Sequence, residues 1–388
     1  MRAFRFSPPR YVQDIASRLT QLNGAPHYVG GAVRDAIIGR EPHDYDIASA
    51  LHPSAVQLAF DNVVPTGARH GTVTVVTNDG NVEVTTFRSE STYADGRHPD
   101  AVAFVPSIEL DLQRRDFTMN AVAINAANGT LVDPHAGVRD ALDGIVRTVG
   151  DPSVRFAEDG LRVMRAVRFA AQLGFTIESK TLTALRPEAL VGVSSERIRD
   201  ELTKVLDSDR PELGITLLSN VGILKHIIGE SMAQAFLTAS PRLAAIDARL
   251  RLAACSASAG SDPGRELART LKVDVHSAQL ATNAARALIM LRSDSTQCGV
   301  RAALAQLGRE AVVIAASLEH DETTVMTSLT APIITAKELP FNGNDVMSKL
   351  GVAGAAVGRV IRNAINAAVR EPCLLADSDK LLAIARLQ

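Results

Sequence analysis

Tyr28-Val29-Gly30-Gly31-Ala32-Val33-Arg34-Asp35 is the stretch whose reading decides the fold. A short β-capable run enters a Gly-Gly turn, and a helix-capable run from Val33 to Ile38 leaves it. Paired glycines at such a junction let backbone N–H groups approach an anion closely, and the helix start behind them favours phosphate. A plain tight turn is the competing reading, since the spacing is neither G-x-G-x-x-G nor a Walker A loop. Asp44-Tyr45-Asp46-Ile47-Ala48 follows, with acidic and apolar residues alternating as in a half-buried strand. Side chains at i and i+2 share a strand face, so Asp44 and Asp46 repel unless a cation sits between them. A hard divalent ion such as Mg²⁺ suits that pair. Two exposed Asp residues on an edge strand are the bland alternative.

Working outward, Val12, Ile15, Leu19 and Leu22 recur at helical spacing and predict an amphipathic helix over Tyr11–Leu22. A hairpin is expected downstream: Thr72–Thr77 alternates, Asn78-Asp79-Gly80-Asn81 turns, and Val82–Phe87 alternates again. Glu83 lies in its second strand and could reach the sheet face of Asp44 and Asp46. Three acids there could hold two metals, which suits phosphoryl or nucleotidyl transfer; a solvent-facing strand residue is the competing reading of Glu83. A flexible loop is expected over Ser89–Asp100, a helical segment near Asp111–Asn125 and a strand at Leu131-Val132. After Pro152 strand signals largely vanish and Ala/Leu/Arg helices dominate, with breaks expected at Ala257–Pro263 and Asp321–Leu329. The expected class is α+β: a small mixed-sheet head followed by an all-α remainder.

The chain has 388 residues, 46% hydrophobic and 22% charged, so it can bury a core and is not disordered over most of its length. A net charge of −2 excludes a uniformly basic nucleic-acid binder. Cys255, Cys298 and Cys373 are far apart and form no C-x-x-C, which fits a reducing cytoplasm; a single disulfide stays open. No apolar run approaches a membrane span, and the first residues lack an apolar signal-peptide core, so neither a membrane partner nor a secreted form is expected.

Gly30–Asp35 with Asp44-Tyr45-Asp46 resembles the nucleotidyltransferase core of class II CCA-adding enzymes (tRNA nucleotidyltransferases) and bacterial poly(A) polymerases. Arg114-Arg115-Asp116-Phe117-Thr118-Met119-Asn120-Ala121 resembles that family's second motif. Asp133-Pro134-His135-Ala136-Gly137, with Asp140 and Asp143, resembles the third. Glu158–Phe169 resembles the base-selecting motif, and Ser195–Leu202 the last, in the neck. The motifs stand in the family's order across roughly residues 28–206. Phe341–Val346 and Leu350–Gly354 resemble the tail segment more loosely. His320-Asp321 reads as surface sequence rather than as part of a phosphohydrolase domain.

The resemblance implies CTP and ATP as substrates, the tRNA 3′ end as acceptor and Mg²⁺ as cofactor. Asp44 and Asp46 would bind the metal, with Glu83 as a third catalytic acid. Gly30 and Gly31 would cradle the triphosphate, while Arg34 and Arg115 would neutralise its charge. Asp159 and Arg162, three residues apart, would share a helix face and read the incoming base; an intrahelical ion pair is the competing reading. Arg165 and Arg168 would contact phosphate or stack on the base, and Arg168 could equally pair with an acid in the neck. An ion pair of Arg34 with Asp35 or Asp44 is its alternative. Family members often carry Pro or Ala where this chain has Gly160, which would loosen the Asp159 helix by up to ~1 kcal/mol relative to Ala. The implied division is a nucleotidyltransferase head over 1–150, a base-recognition neck over 151–206, a helical body over 207–325 and a tRNA-binding tail over 326–388. A full-looking loop over Arg88–Asp100 and the Pro65–Thr72 segment favour complete CCA addition. Partial addition, poly(A) synthesis and a non-catalytic RNA-binding relative follow in that order.

Overall fold

An amphipathic helix, α1 (Arg10–Gln21), begins the secondary structure of the computed structural model, which describes residues 6–90, 102–260 and 262–387. Its Val12, Ile15 and Leu19 are buried, as their spacing predicts. The chain divides into two units, Met1–Ile223 and Leu224–Gln388.

The first unit is built on a seven-stranded mixed sheet in the order β3-β4-β5-β2-β1-β8-β9. In chain order these are β1 (His27–Val29), β2 (Asp46–Ser49), β3 (Val63–Gly67), β4 (Thr72–Val76), β5 (Asn81–Thr86), β8 (Ala123–Asn125) and β9 (Leu131–Val132). Between β1 and β2 runs α2 (Gly31–Ile37), and between β2 and β3 runs α3 (Pro53–Ala59). The expected hairpin is β4–β5, paired antiparallel from Thr72↔Thr85 to Val76↔Asn81. β2 pairs with β5 in parallel, and this brings Asp46 opposite Glu83. Ile47, Val82 and Val84 are buried, so a one-residue slip would turn them to the other face and displace the acids as well. Burying a side chain the size of Ile47 stabilises by about 1.5–3 kcal/mol, which is the force that fixes this register.

Two expectations are corrected here. Asp44 precedes β2 rather than lying in it, so the two aspartates are not related by strand alternation. The segment Asp111–Asn125 is not one helix. α4 (Ile108–Gln113) ends early, a 3₁₀ turn spans Thr118–Asn120, and β8 follows. The Asp116 carboxylate accepts from Phe117 N (2.8 Å) and Asn120 Nδ2 (3.2 Å), a local bonding pattern that competes with helix. β6 (Arg88–Glu90) and β7 (Val102–Phe104) form a two-stranded ribbon. The rest of the loop expected up to Asp100 lies outside the described residues.

Past β9 come α5 (Gly137–Asp143), β10 (Ile145–Val146), α6 (Pro152–Glu158), α7 (Arg162–Leu173), β11 (Thr176–Ile177), α8 (Ser179–Thr183), α9 (Ser195–Leu206) and α10 (Pro211–Asn220). The parallel β10–β11 pair is a small exception to the all-α expectation beyond the head. α7 is buried nearly all round, with Val163, Met164, Val167 and Phe169 in contact with the interior.

The second unit is helical. Small residues on helix Val275–Ser293, including Ala281, Ala284 and Ala287, are buried, in keeping with an aromatic content of only 4%. Asp321–Leu329 is not a break: Asp321 caps a helix over Glu322–Thr330 by accepting from Thr324 N (2.9 Å). Asn342 and Asp345 form a reciprocal capping box on helix Gly343–Leu350. All three cysteines are free, and no described helix is long and apolar enough to cross a membrane.

Candidate active site

The β1–α2 junction begins the site. Gly30 sits at φ +73°, a left-handed conformation that glycine adopts without steric cost. A Cβ there would stand 3.2 Å from Asp46 Oδ2, tighter than ordinary contact, and would touch Arg115 Nη1 at 3.5 Å. One turn on, Arg34 pairs with Asp35 (2.8 Å) and donates to Asn120 Oδ1 (2.9 Å). The ion pair weighed for Arg34 is therefore formed, and the guanidinium still lines the cleft.

That cleft holds about 790 Å³. Every residue singled out from the sequence lines it: Gly30, Gly31 and Arg34, the acids Asp44, Asp46 and Glu83, then Arg115, Asp159, Arg162, Arg165 and Arg168. Asp46 is half-buried and its pKa is pushed up to about 6. Burial is the main cause, the neighbouring Glu83 and Asp44 carboxylates add to it, and Arg115 opposes it. Like charges held close with one cation nearby are the donor set of a hard divalent ion. Among the described residues no group of three or more His, Cys, Asp or Glu could hold a metal ion unaided. Asp44 and Asp46 by themselves are an incomplete ligand set, and a divalent ion there would need further oxygen ligands.

Arginines share the cleft with these acids, and several are anchored by carboxylates. Arg115 pairs with Asp111 (3.2 Å), which is fully buried and also binds Arg114 (2.9 Å). Burial raises the Asp111 pKa, but the two guanidiniums outweigh it and hold the carboxyl below its usual range. Arg165 Nε donates to Asp116 (2.8 Å), and Arg168 pairs with Glu201 of α9 (3.3 Å), the neck acid foreseen as its alternative partner. Asp116 is likewise held well below the usual carboxylate range, Arg165 overcoming its burial.

The expected Asp159–Arg162 helix face is not there. Asp159 caps the C-terminus of α6 in extended conformation, and α7 starts at Arg162. Asp159 accepts from Leu161 N (3.1 Å) and pairs with Arg197 (3.2 Å). Arg162 donates to Glu158 (2.6 Å), Arg155 O (3.0 Å) and Arg114 O (3.2 Å). The two side chains line one cleft from separate supports.

Residues 27–147 match the family model described as the Poly A polymerase head domain, and residues 174–236 that of the probable RNA and SrmB-binding site of polymerase A. The crystal structure of the Bacillus stearothermophilus CCA-adding enzyme in complex with CTP matches with a TM-score of 0.79 at 30% identity, over 96% of this chain and 98% of that one. A CCA-adding enzyme of Lactiplantibacillus plantarum is 36% identical over 377 residues, 93% of this chain and 92% of that protein. The chain belongs to the CCA-adding enzyme family. Another CCA-adding enzyme, from Limosilactobacillus fermentum, is 38% identical over 92% of this chain and 90% of its own length.

Within the CCA-adding enzyme fold, the third motif is a support that holds the site from behind. Asp133 accepts from Gly137 N (2.7 Å) and Val138 N (3.0 Å), starting α5, and Asp140 bonds Thr118 (2.6 Å) and Arg147 (2.9 Å). Gly160 is also more than a loosened position. A Cβ there would lie 1.7 Å from the Ala189 carbonyl oxygen, a backbone atom that cannot swing aside. Arg114, Asp116 and Arg197 stood in quoted motifs without a role and line the cleft too; Phe169 does as well. His70 and Arg88, from the two segments read as favouring CCA addition, line it too, as does Thr85, which the sequence placed only in a hairpin strand.

Proposed function

We propose that this CCA-adding enzyme adds C, C and A, without a template, to the 3′ end of tRNA from CTP and ATP, releasing pyrophosphate. The observation that carries this is one cleft lined together by Asp44, Asp46 and Glu83, by Arg34, Arg115, Arg165 and Arg168, and by Asp159 and Arg162. Asp44 and Asp46 would hold Mg²⁺, which when bound lowers the pKa of the attacking ribose hydroxyl and neutralises charge on the triphosphate. Glu83, in register with Asp46, adds negative charge that favours the cation. Backbone N–H groups at Gly30-Gly31 bind phosphate oxygens, and Arg34 and Arg115 offset their charge. The residues thus position the 3′ hydroxyl against the α-phosphate; nucleotidyl transfer asks little else of a protein.

Base selection falls to Asp159 and Arg162. Cytosine presents an N4 amine donor beside N3 and O2 acceptors, so Asp159 accepts while Arg162 donates. Adenine presents an N6 donor beside the N1 acceptor, which a small shift of the same pair can read. Arg197 and Glu158 orient the two readers. We assign nucleotide transfer to the head (1–150), base recognition to the neck (151–206), and tRNA holding to the body (207–325) and tail (326–388). The three free cysteines support a cytoplasmic setting.

The test is incubation with tRNA lacking its 3′ end, Mg²⁺ and labelled CTP or ATP, followed by mapping of the product. Addition of C, C and A supports the proposal. A product ending at CC reassigns the chain to partial addition, a long A tail to poly(A) synthesis, and no incorporation refutes an enzymatic role.

A further inference from the structure

Phe169 of α7 lines the cleft, and Arg34 of α2 reaches over its ring. Its ring is 6% exposed and packs edge-on against Phe117, with centroids 5.7 Å apart. Three guanidinium carbons lie over this ring: Arg168 at 4.3 Å, Arg34 at 5.3 Å and Arg165 at 5.5 Å. Arg165 precedes it by one helical turn and Arg168 is its neighbour, so their approach follows in part from α7 itself. Arg34 comes from α2, and its approach is a tertiary contact between head and neck elements.

Three like charges about one ring repel one another. Each is balanced by a carboxylate from a different element: Asp35 on α2, Asp116 after α4, and Glu201 on α9. The negative face of the ring attracts all three cations, and the carboxylates hold their outer sides. The ring is the shared point of the set, so it fixes the cations relative to one another.

We propose that Phe169 is a positioning residue for nucleotide selection. It ties Arg34, which would neutralise the triphosphate, to Arg165 and Arg168, on the helix that Arg162 begins, and so sets the reach from phosphate cradle to base reader. This rests on the reading that the cleft takes a nucleoside triphosphate. With the triphosphate fixed at one end, the reach decides which base edges meet the reader. A loosened reach admits uracil and guanine edges that the fixed one rejects.

The experiment compares wild-type protein with Phe169→Leu, which keeps apolar bulk without an aromatic face, and Phe169→Tyr, which keeps the face. Single-nucleotide incorporation on tRNA lacking its 3′ end is measured with CTP, ATP, UTP and GTP. The wild-type arm tests the cleft reading by itself: absence of CTP and ATP incorporation there defeats that reading, and with it this inference. Phe169→Leu removes all three contacts; the loss of Arg34's alone, the tertiary one, is expected to raise KM for CTP and ATP about tenfold, and the share of UTP and GTP incorporated should rise. Phe169→Tyr is expected to restore both. A merely structural role would shrink the active fraction, lowering kcat with KM and selectivity unchanged; that outcome overturns the inference. Failure of Phe169→Tyr to restore KM overturns it too. If Phe169→Leu does not fold, Phe169→Met, with flexible apolar bulk, is read by the same KM and selectivity.

Discussion

Replacing Asp46 by Asn should make the metal-free protein more stable above pH 7 while abolishing catalysis. The Asp46 pKa rises on folding from 3.8 to about 6. Between those values the folded chain keeps a proton that the unfolded chain has released, so folding stability falls as pH climbs from about 4 to about 6. Above pH 6 the penalty is complete. A shift of this size corresponds to about 3 kcal/mol at roughly 1.4 kcal/mol per unit, and screening at the solvent-facing side of a half-buried carboxylate brings that to about 2. Asn carries no charge and removes the penalty. Arg115 loses an attractive neighbour but keeps its pair with Asp111.

The assay is thermal unfolding in EDTA at pH 8 and pH 4, repeated with Mg²⁺ at pH 8. For a unit of this size about 2 kcal/mol corresponds to a Tm gain of roughly 4–8 °C for Asp46→Asn at pH 8. The gain should shrink to a small fraction at pH 4, where folded Asp46 keeps its proton and the unfolded carboxyl is only partly ionised. Mg²⁺ should stabilise the wild type, because a ligand bound only by the folded state adds to its stability, and should do little for Asp46→Asn. An Asn variant less stable than wild type at pH 8 in EDTA would refute the reasoning, as would an equal gain at both pH values.

Asp44→Ala should abolish incorporation of both CTP and ATP while tRNA binding in a gel-shift titration stays largely intact; loss of only one nucleotide would show the metal assignment to be wrong. Asp159→Ala should change the ratio of kcat/KM for CTP and ATP with little effect on the Mg²⁺ requirement, and an unchanged ratio counts against base reading. Gly160→Ala should destabilise the protein by roughly 2–3 kcal/mol in urea unfolding, since a 1.7 Å approach to the Ala189 carbonyl demands a backbone shift. A loss under 1 kcal/mol would return Gly160 to a matter of helix propensity alone.

How far the fold could be read from the sequence depended on the range of the forces involved. The hairpin Thr72–Phe87 and the helix at Arg10–Gln21 follow from local periodicity, and both were legible. Edge strand β3 was not, because Pro65 and Gly67 break its pattern while pairing with β4 retains it. The run Asp111–Asn125 looked helical because its apolar spacing allows it. The Asp116 carboxylate instead turns the chain at Phe117, and β8 pairs with β1, a strand far away in sequence. The identities of the cleft residues were readable as motifs, but their supports were not. No window of sequence shows that Asp159 is held by Arg197, or that Ala189 blocks a side chain at position 160.

The net charge of −2 takes on a different meaning once the cleft is seen. Eight of its lining residues are arginines and five are carboxylates. The local excess is positive, as a polyanionic substrate requires, while the sum over the chain stays near zero. The arginines are not loose charges. Arg34, Arg115, Arg165, Arg168 and Arg197 are each held by a carboxylate, so each donor is in place before a nucleotide arrives and little ordering remains to be done on binding. Asp46 and Glu83 are the reverse case, acids set side by side whose mutual repulsion only a cation or a proton relieves. The arginines are paired in advance, while the acids are left wanting charge. On the proposed reading, the acids are where a metal would sit and the arginines are where a triphosphate and base would be aligned.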